Sequence, residues 1–134
     1  MNKPEFLLDA NVLIALYHPS HLHHASARQW LGADISFAVC PITEGALVRY
    51  TLQKMLTAAP AVIALKRLSK LPNYHWIPDD LTYLEAGVEK LQGHKQVTDV
   101  YLAALAEKHG MRLATFDKRL NRMRPDATFL VPTE

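Results

Sequence analysis

Apolar residues fall along this chain in short blocks that alternate between two periods. Phe6-Leu7-Leu8 is a compact apolar run of strand length, and a short apolar helix follows it, starting at Asn11 and stopping before Pro19. Ser20 can cap a second helix, HLHHASARQWL, with Gly32 at its end. The β-favouring run ISFAVC predicts a second strand, and Pro41 then opens a helix, PITEGALVRYTLQKML. On that helix Leu47, Val48, Thr51 and Met55 share one face. A further helix, PAVIALKRLSKL, is closed by Pro72, and YHWIP supplies a third strand. DDLTYLEAGVEKL follows as a helix with acids in its first turn, where the helix dipole favours them. Thr98 caps TDVYLAALAEKHG, MRLATFD forms a fourth strand, and ATFLV forms a last one. Strands alternating with helices imply parallel β-α-β units covered on both faces. The expectation is a three-layer α/β/α sandwich with a central parallel sheet, one domain spanning residues 1–134. Periodicity leaves the strand order open.

Four carboxylates interrupt this pattern at corresponding places. Asp9 ends the first strand, and Asp117 ends MRLATF. Glu44 lies in the first turns of the helix after the second strand, and Asp99 in the first turn of the helix at Thr98. In a parallel sheet, strand C-termini and helix N-termini share one edge, which is where open α/β sheets form their crevices. Each acid alone has an ordinary explanation. Asp99 can complement a helix dipole, Asp117 can form a turn, and Glu44 can be a first-turn acid. Asp9 resists such an explanation, because apolar residues flank it on both sides and burying a lone charge is costly. Of thirteen acidic residues, these four stand at strand-to-helix junctions with apolar neighbours. Clustered, buried carboxylates must hold protons or be neutralised by a cation. An all-oxygen set of Asp and Glu suits a hard divalent ion, Mg²⁺ or Mn²⁺, which also binds phosphate oxygens.

Composition sets bounds around that reading. An apolar fraction of 49% with 21% charged residues is that of a globular chain rather than a disordered one. A formal charge of +2 says little about a polyanionic partner. The single Cys40 excludes an intrachain disulfide and fits a reducing compartment. Asp9 and Asn11 break the N-terminal apolar run, no small-residue cleavage site follows, and no stretch approaches the ~18 apolar residues of a membrane span. A cytoplasmic protein with no membrane partner is the expectation.

LLDANVLIAL, PITEGALVRY, VTDVYLAALAEKHG and RLATFD, in this order and spacing, resemble the PIN-domain ribonucleases, in particular the VapC-type toxins of bacterial toxin–antitoxin pairs. PSHLHHASARQWL is similar to the family's His-containing second helix, so the resemblance covers nearly the whole chain. It implies a PIN fold, metal-dependent endoribonuclease activity, a cognate antitoxin and homodimerisation. Asp9, Glu44, Asp99 and Asp117 match the family's four catalytic acids in order. The implied metal ligands are Asp9, Asp99 and Asp117, with Glu44 holding a water on the ion or a second ion. Asn11 matches the polar residue two places after the first acid, and Thr115 the hydroxyl of the terminal T-x-D signature. Hydrolysis of the RNA phosphodiester by a metal-activated water is the implied reaction.

Lys118, Arg119, Arg122 and Arg124 follow Asp117 within seven positions and can meet RNA phosphates or form a solvated helix face. Arg49, one turn beyond Glu44, matches an Arg of the family's mycobacterial-type branch and can pair with a site carboxylate or contact RNA. His18, His21, His23 and His24 lack the Cys partners or H-E-x-x-H spacing of a zinc site, which favours a polar surface or helix-end role. Trp30, Leu22 and the apolar face of PAVIALKRLSKL are expected in the core or in dimer contacts. Two other functions remain open. Mg²⁺-dependent aspartyl phosphotransfer also places acids at strand ends, although its D-x-D pattern would need an acid where Asn11 stands. A non-catalytic RNA-binding module would use the acids for structure alone.

Overall fold

A computed structural model describes residues 3–133. Five parallel strands, β1 (Phe6–Leu8), β2 (Phe37–Val39), β3 (Tyr74–Trp76), β4 (Arg112–Thr115) and β5 (Thr128–Leu130), lie in the order β3-β2-β1-β4-β5. Side chains alternate across this sheet as period two demands. Phe6, Leu8, Phe37 and Val39 enter a core beneath α1 (Ala10–Tyr17), α2 (His24–Leu31), α3 (Pro41–Met55) and α4 (Ala59–Leu68). Leu7, Ala38 and Leu113 enter a second core beneath α5 (Val97–Lys108) and α6 (Lys118–Met123). The sheet is therefore covered on both faces, as the alternation of elements predicts.

Several helix starts differ from the sequence expectation, for local reasons. Asp9, not Asn11, caps α1: its backbone is extended and its Oδ1 accepts from the Ala10 N–H at 2.8 Å. α2 begins at His24 without a side-chain cap, so Ser20 does not start it, and residues 21–23 form a bend and a turn. α5 begins at Val97, which places Thr98 inside the helix. On α3, Leu47 and Thr51 are buried, whereas Met55 is 50% exposed at the helix end.

The largest departure is at residues 79–91, where turns and a single 3₁₀ turn at Val88–Lys90 replace the expected helix. Tertiary contacts and backbone conformation outweigh its helical pattern. Asp80 Oδ1 meets His109 Nε2 at 2.7 Å, and the Asp80 carbonyl accepts from Lys108 Nζ. Tyr101 Oη donates to the Leu81 carbonyl at 2.7 Å. Thr82 and Glu85 exchange bonds in a local turn, and Gly87 sits at φ +77°, a left-handed conformation that breaks a helix. The segment is thus tied along α5.

Trp30 packs edge-on against Phe6 and stacks with Phe129, in the core as expected, whereas Leu22 is 87% exposed. His18 is not a surface residue. It is buried at the end of α1, where its Nε2 meets Thr51 Oγ1 at 3.0 Å and ties α1 to α3. No helix among the described residues is long and apolar enough to cross a membrane.

Candidate active site

Connections from β1 lead outward to β2 and β3 on one side and return to β4 and β5 on the other. The reversal of strand order therefore falls between β1 and β4, and such a switch point opens a crevice at the strand C-termini. Asp9 follows β1 and Asp117 follows β4, so the two acids flank that crevice.

A buried threonine organises its floor. Thr115 Oγ1 donates to Asp9 Oδ2 at 2.6 Å and accepts from the Asp117 N–H at 3.1 Å and from Asn11 Nδ2 at 3.4 Å. One donor and two acceptors exhaust what a hydroxyl offers. Asn11 Oδ1 in turn accepts from the Phe116 N–H at 3.4 Å, closing the ring between α1 and the end of β4. Asp117 caps α6 by accepting from the Leu120 N–H at 3.1 Å. Asp99 stands in the first turn of α5, half-buried, with no side-chain hydrogen bond among the described residues.

Two of the three aspartates carry shifted pKa values. Burial raises the pKa of Asp9, Thr115 and the Ala10 N–H oppose the rise, and Asp117 adds to it. Burial, followed by repulsion from Asp9 and Asp117, pushes Asp99 up to about 6. This is the electrostatics of a site short of positive charge. Among the described residues no three acidic, imidazole or thiol groups converge closely enough to chelate an ion as they stand. The donor set still fits a hard divalent cation: it is all oxygen, and among the described residues Asp99 makes no hydrogen bond that would resist rotation.

Glu44 has different company. It lies in the first turn of α3, and its Oε1 accepts from the indole N–H of Trp76 at 3.1 Å. Burial, and after it the Glu44 charge, raises the pKa of Tyr74, whereas burial and other aspartates raise Asp9 and Asp99. The structure thus gathers three of the four predicted acids and sets the fourth to the β3 side of the rim. Lys118, Arg119 and Arg122 are exposed on α6, directly beyond Asp117. Arg124 is committed to Glu107 at 2.8 Å. Arg49 is exposed and forms no ion pair among the described residues.

Three rim features escape sequence reasoning. Trp76 is 49% exposed, and its only signal was an aromatic residue at a strand end. The His23 ring stacks on Phe116 at 4.5 Å, next to Asp117. Asp79, expected in a helix, follows β3 instead, with Oδ1 buried beside Cys40 and without a hydrogen-bond partner among the described residues.

A family model described as the PIN domain matches residues 6–124. Ribonuclease VapC29 of Mycobacterium tuberculosis is 43% identical over 128 residues, covering 95% of this chain and 96% of the relative. Ribonuclease VapC38 of the same species is 38% identical over 118 residues, covering 83% and 84%. Among solved structures, M. tuberculosis VapC20, described as a sarcin–ricin loop cleaving toxin, superposes with a TM-score of 0.70 at 13% identity, covering 89% of this chain and 95% of that one. A toxin–antitoxin complex from Klebsiella pneumoniae superposes at 0.69 with 20% identity, covering 97% and 100%. At these identities the structural matches speak for the fold.

Proposed function

Because this chain belongs to the PIN-domain family, we propose that it is an RNA-cleaving hydrolase, the endoribonuclease toxin of a toxin–antitoxin pair, dependent on a divalent ion. The observation that carries the reading is the set of three aspartates at the β1/β4 switch point, with Asp9 buried among apolar residues and the pKa of Asp99 raised by burial and by the other two. Asp9, Asp99 and Asp117 would hold the ion, Mg²⁺ or Mn²⁺. When bound, that ion neutralises charge on the phosphate and lowers the pKa of water.

The chain's own residues do the rest. Thr115 and Asn11 fix the orientation of the Asp9 carboxylate, and the α1 N-terminus holds its other oxygen. Glu44 Oε2, with no hydrogen bond among the described residues, is left to accept from a water at the rim. Lys118, Arg119 and Arg122 attract the RNA backbone toward an edge whose acids would otherwise repel it. Arg49 serves the same role from α3. Attack by water leaves the ribose 2′-hydroxyl outside the chemistry, so preference for RNA arises from contacts beyond the acids.

A cognate antitoxin is the natural partner for a toxin of this family, and a basic side chain of it would satisfy the acidic rim. Exposed Leu52, Met55, Leu56, Val62 and Ile63 at the junction of α3 and α4 support a homodimer. The protein would act in the cytoplasm. The test is purified, metal-stripped protein mixed with total RNA: cleavage should begin on adding Mg²⁺ or Mn²⁺ and stop with chelator. Metal-independent cleavage, or none with either ion, would overturn the reading.

A further inference from the structure

Trp76 ends β3, on the same sheet edge as the aspartates but two strands away from β1, about 10 Å at ordinary strand spacing. Half of its surface meets solvent, although a tryptophan has much apolar area to hide. The indole is not loose: its N–H is held by Glu44 Oε1 at 3.1 Å. That bond fixes a flat, neutral ring at the rim.

The geometry points to Trp76 as a nucleobase-stacking platform, positioned by Glu44, that sets where an RNA strand lies across the crevice. This rests on the ribonuclease reading and deepens it. The rim is acidic, so phosphates are poorly received along it except at a bound cation or beside the basic residues of α6. An aromatic face takes a base without needing a phosphate contact, and unpaired RNA bases are commonly held this way. Basic α6 lies beyond β4 and Trp76 beyond β2, so Asp9 stands between the two anchors. A strand running from one to the other passes over the aspartates. Glu44 then has a positioning role, which accounts for its carboxylate facing Trp76.

Trp76 and Trp30 are the chain's two tryptophans, and Trp30 is packed in the core, so fluorescence isolates the ring in a Trp30→Phe background. The probe is a mixed-sequence single-stranded RNA, titrated into protein that also carries Asp99→Asn to prevent cleavage. Saturating RNA is expected to quench the Trp76 emission. Trp76→Ala should weaken RNA binding by about 5- to 100-fold. In the active protein it should raise KM more than it lowers kcat, and Trp76→Phe should restore most of the binding. Unchanged emission at saturating RNA, or Trp76→Ala with unaltered KM, overturns the assignment. In either case, persisting metal-dependent cleavage leaves the nuclease reading standing. If Trp76→Ala instead shifts the sedimentation of the free protein while sparing RNA binding, the ring belongs to a protein interface and the assignment also fails.

Discussion

Thr115 Oγ1 and Asp9 Oδ2 lie 2.6 Å apart, joining the ends of two adjacent strands that are 106 residues apart in sequence. The bond is buried, and it opposes the rise in Asp9 pKa that burial imposes. Replacing Thr115 with Val keeps the shape but removes this donor and also deprives Asn11 and the Asp117 N–H of an acceptor. Urea unfolding should show a loss of about 1–3 kcal/mol. Thr115→Ser should recover most of it. A fully stable Thr115→Val protein would mean that the threonine does not anchor Asp9.

Asp99 makes stability depend on pH in an unusual direction. Its folded pKa of about 6 stands above the ordinary 3.8, so the folded state binds the proton more tightly than the unfolded one. The resulting stabilisation is fully present below the unfolded value and is lost as pH rises through about 6. Asp9 is shifted in the same direction. The metal-free melting temperature should therefore rise as pH falls from 8 toward 5, and Asp99→Asn should flatten that slope. Mg²⁺ or Mn²⁺ should raise the melting temperature at pH 8 and do little at pH 5, because cation and proton relieve the same repulsion. Thermal melts across pH, with and without metal, check both.

Cys40 should be inert in the folded protein. Burial, reinforced by nearby Asp79, pushes its thiol up to about 11, and only the thiolate reacts. Native protein at pH 7.5 should resist iodoacetamide, whereas denatured protein is alkylated. Rapid native labelling, read by mass spectrometry, would contradict this packing.

The site was legible where an acid sat in apolar company at a strand end. Asp9 and Asp117 are marked that way, and topology brings them to one edge whatever the strand order. The order itself is a matter of non-local pairing and leaves no trace in local periodicity. The start of α5 was displaced because no side chain caps it, so Thr98 gave a false boundary. Residues 79–91 carry a helical pattern, but Asp80 and Leu81 are held by α5 through His109, Lys108 and Tyr101. Glu44 lies in the first turn of α3, at the sheet edge where strand ends meet helix starts. Its partner Trp76 was invisible because their contact spans two elements.

Asp9, Asp99 and Asp117 are proposed to form one cation-dependent centre for RNA cleavage. Its most direct test is the rate of RNA cleavage against Mn²⁺ concentration for the wild type, Asp9→Asn and Asp99→Asn, each first shown to be folded by circular dichroism. Saturable, metal-dependent cleavage is expected in the wild type, with a loss of at least about 100-fold in each variant, of the size seen when one electrostatic group of a site is removed. Wild-type rates in either folded variant would contradict it.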